Sequence, residues 1–303
     1  MPSPGKFASV LLAVALALPL AAQQPKPALE PARQLVRDVI WNELHDRERD
    51  SHWEYLSDCM ITGQNLVREQ IETGEGPVFR VLERNGTPLS AAQRERENQR
   101  IAAYIQDPAA IARILRDHEQ DENRLASIMR MLPEAFLFRY DGPPTGDVAR
   151  LSFRPNPAFV PSGYEARIVH ALTGTLTVNL RWKRMIDMTG IVSQPVDFGY
   201  GLLGHVDPGG TFQIHRCQVS PTHWKTDLVA VHVQGKILMF KTVSKNEREA
   251  RSDFRPVPVD MTLAQASQLL SQAAADPSLQ AQLAMFGTSA PPPVGVAGIS
   301  SDQ

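Results

Sequence analysis

The chain is poor in the features that usually betray a reaction. Only two of its 303 residues are cysteine, Cys59 and Cys217, too few for a disulfide-built scaffold. Neither sign of charge dominates: 31 Lys and Arg face 33 Asp and Glu, a formal net charge of −2. That balance excludes a strongly basic surface and, with it, nucleic acid as the expected partner. There is no G-x-S-x-G elbow, no S-x-x-K with its companion motifs, no H-E-x-x-H and no phosphate loop. Beyond the N-terminal stretch, no uncharged apolar run approaches the roughly 20 residues that a bilayer crossing requires. What remains is 43% hydrophobic and 21% charged, the composition of an ordinary globular protein.

Met1 to Ala22 reads as a secretory signal. Lys6 supplies the positive start, Phe7 to Leu20 the apolar run broken by Ser9 and Pro19, and Leu20-Ala21-Ala22 the cleavage site before Gln23. The expectation is an exported, periplasmic protein with no transmembrane segment in its mature chain. A flexible leader over 23–29 precedes one main domain over 30–286, and a Pro/Gly/Ser-rich tail over 287–303 is expected to be disordered. Export puts Cys59 and Cys217 in a compartment where they either pair as a long-loop disulfide or stay as buried free thiols.

Within the domain, Val36, Val39, Ile40 and Leu44 share one face of a helix. Strand patterns follow over Trp53 to Ile61, Leu66 to Glu72 and Val78 to Arg84. Asn85-Gly86 marks a turn, Ser90 and Gln93 form a capping box, and Asp107-Pro108 opens a second helix. After Pro133 the chain returns to strands, with Gly235 expected at a tight hairpin. Met261 to Gln272 is an amphipathic helix, and a weaker one spans Pro277 to Met285. Runs of hairpins, about eleven strands in all, predict an α+β fold with an antiparallel sheet rather than an alternating α/β one.

Three constellations invite a chemical reading. Gly199-x-Gly201-x-x-Gly204 matches a dinucleotide fingerprint, but Pro208, Gly209 and Gly210 follow where a helix is needed, so a hairpin or loop is expected. His215 and Cys217 share a strand face, with His232 and His223 nearby, a conceivable zinc set without a recurrent zinc spacing. Asp58, Asp187 and Asp227 read as solvated outer-face carboxylates. Alternating apolar sets stand out more: Leu176, Val178 and Leu180, then Val229, Val231 and Val233, then Leu238 and Phe240. Most belong to a core. Under a strongly curved sheet with loosely seated helices, some would line a cavity for an acyl chain, which gains about 0.8 kcal/mol per buried CH2.

Several stretches carry a resemblance: Val81-Leu82-Glu83-Arg84-Asn85-Gly86-Thr87-Pro88-Leu89-Ser90, Phe153-Arg154-Pro155-Asn156-Pro157, Leu172-Thr173-Gly174-Thr175-Leu176, Val196 to Gly204, Gly210-Thr211-Phe212, Gly235 to Lys241, and Ser252-Asp253-Phe254-Arg255. Together they resemble exported bacterial proteins related to the outer-membrane lipoprotein-sorting carriers of the LolA/LolB type. The resemblance implies an open antiparallel half-barrel with a helical lid. It also implies a lipid or a lipoprotein acyl chain as ligand, no catalysis and no cofactor, and an envelope protein as a further partner. The same architecture serves sensors of envelope stress, so the alternative is an interaction or sensor module with a filled core. A zinc-dependent hydrolase using His215, Cys217 and His232 is a third reading.

Overall fold

A computed structural model describes residues 29–46, 51–61, 63–198, 204–237, 240–242 and 245–273. The signal, most of the leader, the Pro277 to Met285 helix and the C-terminal tail read from the sequence lie outside these residues. Pro31 onward forms one unit.

The first helix, α1 (Ala32–Asp46), is followed by strands β1 (Trp53–Ile61), β2 (Gln64–Ile71), β3 (Val78–Arg84) and the short β4 (Thr87–Pro88). Then come α2 (Ala91–Ile105) and α3 (Pro108–Ala135), β5 (Phe136–Tyr140), β6 (Val148–Pro155) and α4 (Tyr164–Val169). Strands β7 (Leu172–Asn179), β8 (Arg184–Val192), β9 (Val196–Phe198), β10 (Gly204–Val206), β11 (Thr211–Gln218) and β12 (Trp224–Val233) precede β13 (Gly235–Ile237), β14 (Phe240–Thr242), β15 (Lys245–Pro256) and α5 (Leu263–Ala273).

Eleven of the strands form one antiparallel sheet in the order β4-β3-β2-β1-β15-β12-β11-β8-β7-β6-β5. Its two ends do not pair with each other, so the sheet is open. Register shifts at Glu54/Leu56, Val67/Arg68, Thr177/Val178 and His215/Arg216 are the bulges that bend and twist such a sheet. The fold is thus α+β with a large open antiparallel sheet, as the hairpin runs predict. A small sheet, β14-β13-β10-β9, adds four further strands. Gly235 is not a hairpin turn, because it pairs with Val206 inside that small sheet. A Cβ there would lie 2.4 Å from the His205 carbonyl oxygen, so close backbone approach, and not a turn, explains the glycine. The helix also runs past Pro133 to Ala135 before the strands resume.

Local chemistry sets the helix starts. Ser90 Oγ accepts from the Gln93 N–H while Gln93 Oε1 accepts from the Ser90 N–H, closing the capping box of α2. Asp107 accepts from the Ala109 and Ala110 N–H groups ahead of Pro108. Thr262 and Gln265 repeat the box for α5, and Glu75 accepts from the Leu263 N–H.

The helices cover opposite faces of the sheet at its two ends. On one face, α1 and the C-terminal half of α3 press Leu35, Val36, Val39, Leu132 and Ala135 onto Phe136, Leu151, Phe153, Leu176, Val178 and Met188. On the other, α2 and α5 press Ile101, Leu263, Ala266 and Leu270 onto Ile71 and Val78. Glu43 of α1, 2% exposed, accepts from the Met185 N–H and pairs with Arg184 and Arg216. This buried acid pins the helix to β8 and β11. The free edge of β3 is also occupied: Glu97 accepts from the Val81 N–H and Arg100 donates to the Phe79 carbonyl, which removes a template for edge pairing.

Candidate functional site: the uncovered part of the α1 face

Alternation and register carry the α1 face across the whole sheet. Met188 on β8 is opposite Ile214 on β11, Ile214 is opposite Val229 on β12, and Val229 is opposite Glu249 on β15. Phe212 and Val231 extend the apolar row by one pair. Over β5 to β8 this face is sealed, with Leu151 and Val178 at 0% exposure. Over β11 and β12 it changes character: Phe212, Ile214, Val229 and Val231 are only half-buried, with Phe212 and Ile214 still packed against the margin of the α1 cluster. Phe212 lies flat because its ring occupies the place of a side chain at Gly190, where a Cβ would meet it at 2.2 Å.

No described helix packs extensively on β12 or β15. The longest of the described helices is α3. Its 28 residues extend roughly 42 Å, from the β2–β3 turn, where Leu115 meets Gly76, to β5 at the far edge. Between those anchors its middle is bare: from Leu115 to Leu125 every residue is exposed except Glu122, which is half-buried. Leu115 and Leu125 themselves are 37% and 42% exposed. The helix is a strut held at its ends.

A polar cluster borders the apolar row. Ser57 and Arg68 both donate to Glu249 Oε1, at 2.7 and 3.3 Å, and Arg251 donates to Glu249 Oε2 at 2.9 Å. Burial disfavours the Glu249 charge, but the bonds from Arg251 and Ser57 and the nearby Arg68 outweigh it and hold its carboxyl below the usual range. Gln70 donates to the Tyr55 hydroxyl, over whose ring Arg251 lies. Burial keeps that phenol protonated far above its ordinary range. Three strands, β2, β1 and β15, thus present arginines, a carboxylate and hydroxyls next to Val229 and Val231.

The apolar positions singled out from the sequence separate into groups. Leu176 and Val178 are core beneath α1 and α3, and Leu180 packs against the same cluster. Val229 and Val231 lie on the uncovered row, and Val233 packs on Val192, Val196 and Val206 near the small sheet. Leu238 and the Phe240 side chain fall outside the described residues. Both cysteines are free thiols. Cys59 on β1 and Cys217 on β11 are separated by β15 and β12, about 14 Å at normal strand spacing and beyond disulfide reach.

The histidine set does not converge. His215 is opposite Leu228 but His232 is opposite Thr211, four positions or roughly 13 Å along the strands. Among the described residues no three His, Cys, Asp or Glu side chains are placed to hold a metal. His215 Nδ1 instead lies 2.6 Å from Asp227 Oδ1. Burial and Asp227 push the Cys217 thiol to about 11, the reverse of an activated nucleophile. Of the glycine motif, 199–203 lie outside the described residues. The flanking β9 and β10 are antiparallel partners, not the strand followed by a helix on which a dinucleotide site is built. Among the described residues no helix is long and apolar enough to cross a membrane.

A second charged group was invisible to sequence reasoning. On the face under α2 and α5, Glu69 is 0% exposed beside the buried Glu54. Neither Glu69 oxygen receives a hydrogen bond from an N–H or hydroxyl donor. Burial and contact with the Glu54 carboxyl push Glu69 up to about 8, so a proton shared by the two carboxyls completes the pair. Arg255 stands 3.7 Å from Glu54 and 3.8 Å from Glu69. Arg80 beside them ties β3 to Asn98 and Ser271 on α2 and α5.

No family model, no curated protein and no solved structure matches the chain.

Proposed function

We propose that this is an exported, periplasmic binding protein for a lipid-like ligand, a lipid or the acyl chain of a lipoprotein, which it holds without chemistry. The observation that carries the reading is the half-buried row Phe212, Ile214, Val229 and Val231, lying on the same face that is sealed elsewhere. Hydrocarbon laid on this row leaves water at about 0.8 kcal/mol per CH2. The polar end of the ligand then meets the partly exposed arginines Arg68 and Arg251 across the next strands. The resemblance to the LolA/LolB-type carriers points to the same ligand class.

The rival, an interaction module with a filled interior, draws its support from the sealed β5 to β8 region, where Leu176 and Val178 have no space beside them. Titration of the purified protein with a fluorescent acyl probe separates the two. The carrier reading expects saturable binding that Val231→Glu abolishes with little change in thermal midpoint. Absence of probe binding, or a Val231→Glu variant that unfolds, favours the filled module.

A further inference from the structure

Between the β3 edge and α2 lies a solvent-open pocket of about 370 Å³, none of whose lining residues belongs to the acyl row. Its lining combines the buried Val81 and Leu89 with three exposed arginines, Arg84, Arg96 and Arg100, and one acid, Glu97. That acid is already committed. Glu97 takes both a bidentate bond from Arg100, at 2.7 and 3.0 Å, and the Val81 N–H at 2.9 Å. Arg100 is further fixed by the Phe79 carbonyl and by the Phe79 ring, 4.3 Å from its guanidinium carbon. One arginine and the acid therefore neutralise each other and serve as a rigid wall.

The other two are different. Arg84 donates to the neutral Gln64 side chain, and Arg96 makes no ion pair or hydrogen bond among the described residues. Two guanidinium charges thus face one small cavity without a compensating carboxylate. Gln93, whose Oε1 is engaged at the Ser90 N–H, adds an amide NH2 as a neutral donor. Planar forks with several N–H groups each match the oxygens of a phosphate bidentately. The buried Val81 and Leu89 and an immobilised third arginine reduce the ordering that binding requires.

We infer that this pocket binds a phosphate group, held between Arg84 and Arg96 with Gln93 as an additional donor. The group comes either from a small soluble phosphate or from a phospholipid headgroup. The test uses the full mature chain and two probes: inorganic phosphate followed by calorimetry, and phosphatidylcholine vesicles with and without phosphatidic acid followed by co-sedimentation. Arg84→Gln and Arg96→Gln each lower the affinity about tenfold, the loss of one charged hydrogen-bonding partner. The thermal midpoint stays unchanged, and Arg124→Gln on the exposed middle of α3 has no effect. Binding in either arm that the double variant R84Q/R96Q loses supports the inference and identifies the source. No binding in both arms, or binding that survives in R84Q/R96Q, overturns it.

Discussion

The β5 to β8 end of the sheet and the β3 to β15 end follow the same alternating pattern, yet they are buried in different ways. At the first end one face rests on α1 and α3 through aliphatic and aromatic side chains, and the opposite face, with Thr175, Asp187 and Thr189, stays partly solvated. At the second end both faces are occupied. Beneath α2 and α5 lie Glu54, Glu69 and Arg80, and on the α1 side lie Tyr55, Ser57, Arg68, Glu249 and Arg251. Apolar packing makes the first end a stable base. Buried charge is a poor source of stability, so the second end is expected to contribute less to it.

This contrast can be broken most forcefully at the base. Leu151→Ala removes a side chain at 0% exposure from between α1, α3 and the sheet, and should cost about 2–5 kcal/mol in urea unfolding. At the other end the expected effect is smaller and depends on pH. Glu69 binds its proton more tightly when folded, near 8 against an ordinary value of 4.5. Between those values the folded state holds more protons than the unfolded state, so stability falls as pH rises from about 4.5 through about 8. Glu69→Gln should flatten that slope and raise stability at neutral pH by about one to a few kcal/mol, measured by chemical denaturation across the pH series. A slope unchanged by the substitution would contradict the shared-proton arrangement. The smallest effect is expected on the exposed middle of α3: Leu125→Glu should leave stability within about 0.5 kcal/mol, measured by the same denaturation.

Much of this was legible in the sequence wherever the signal is local. Ser90 and Gln93, Asp107-Pro108 and the alternation of Trp53 to Ile61 act within a few residues, and each element formed where they indicate. The insertion of β15 between β1 and β12 depends on pairings some 200 residues apart in sequence, which no short-range pattern encodes. Gly235 carried a turn signal locally but answers to the close approach of His205. The buried charges escaped for a related reason: alternation reveals that a strand has two faces, but not that Glu54 and Glu69 lie on one that α2 and α5 will cover. For the proposed site, Val229 and Val231 were readable as an apolar set. Their separation from Leu176 and Val178 was not, because it depends on how far α1 and the C-terminal half of α3 reach across the sheet.

The α1 face is sealed over β5 to β8 and only half-buried over β11 and β12. A photoactivatable acyl chain, crosslinked to the protein and mapped by peptide mass spectrometry, tests it directly. Adducts on the peptides that carry Phe212, Ile214, Val229 and Val231, with none on those of β5 and β6, are the predicted result. Adducts spread evenly over both regions, or none at all, would contradict it.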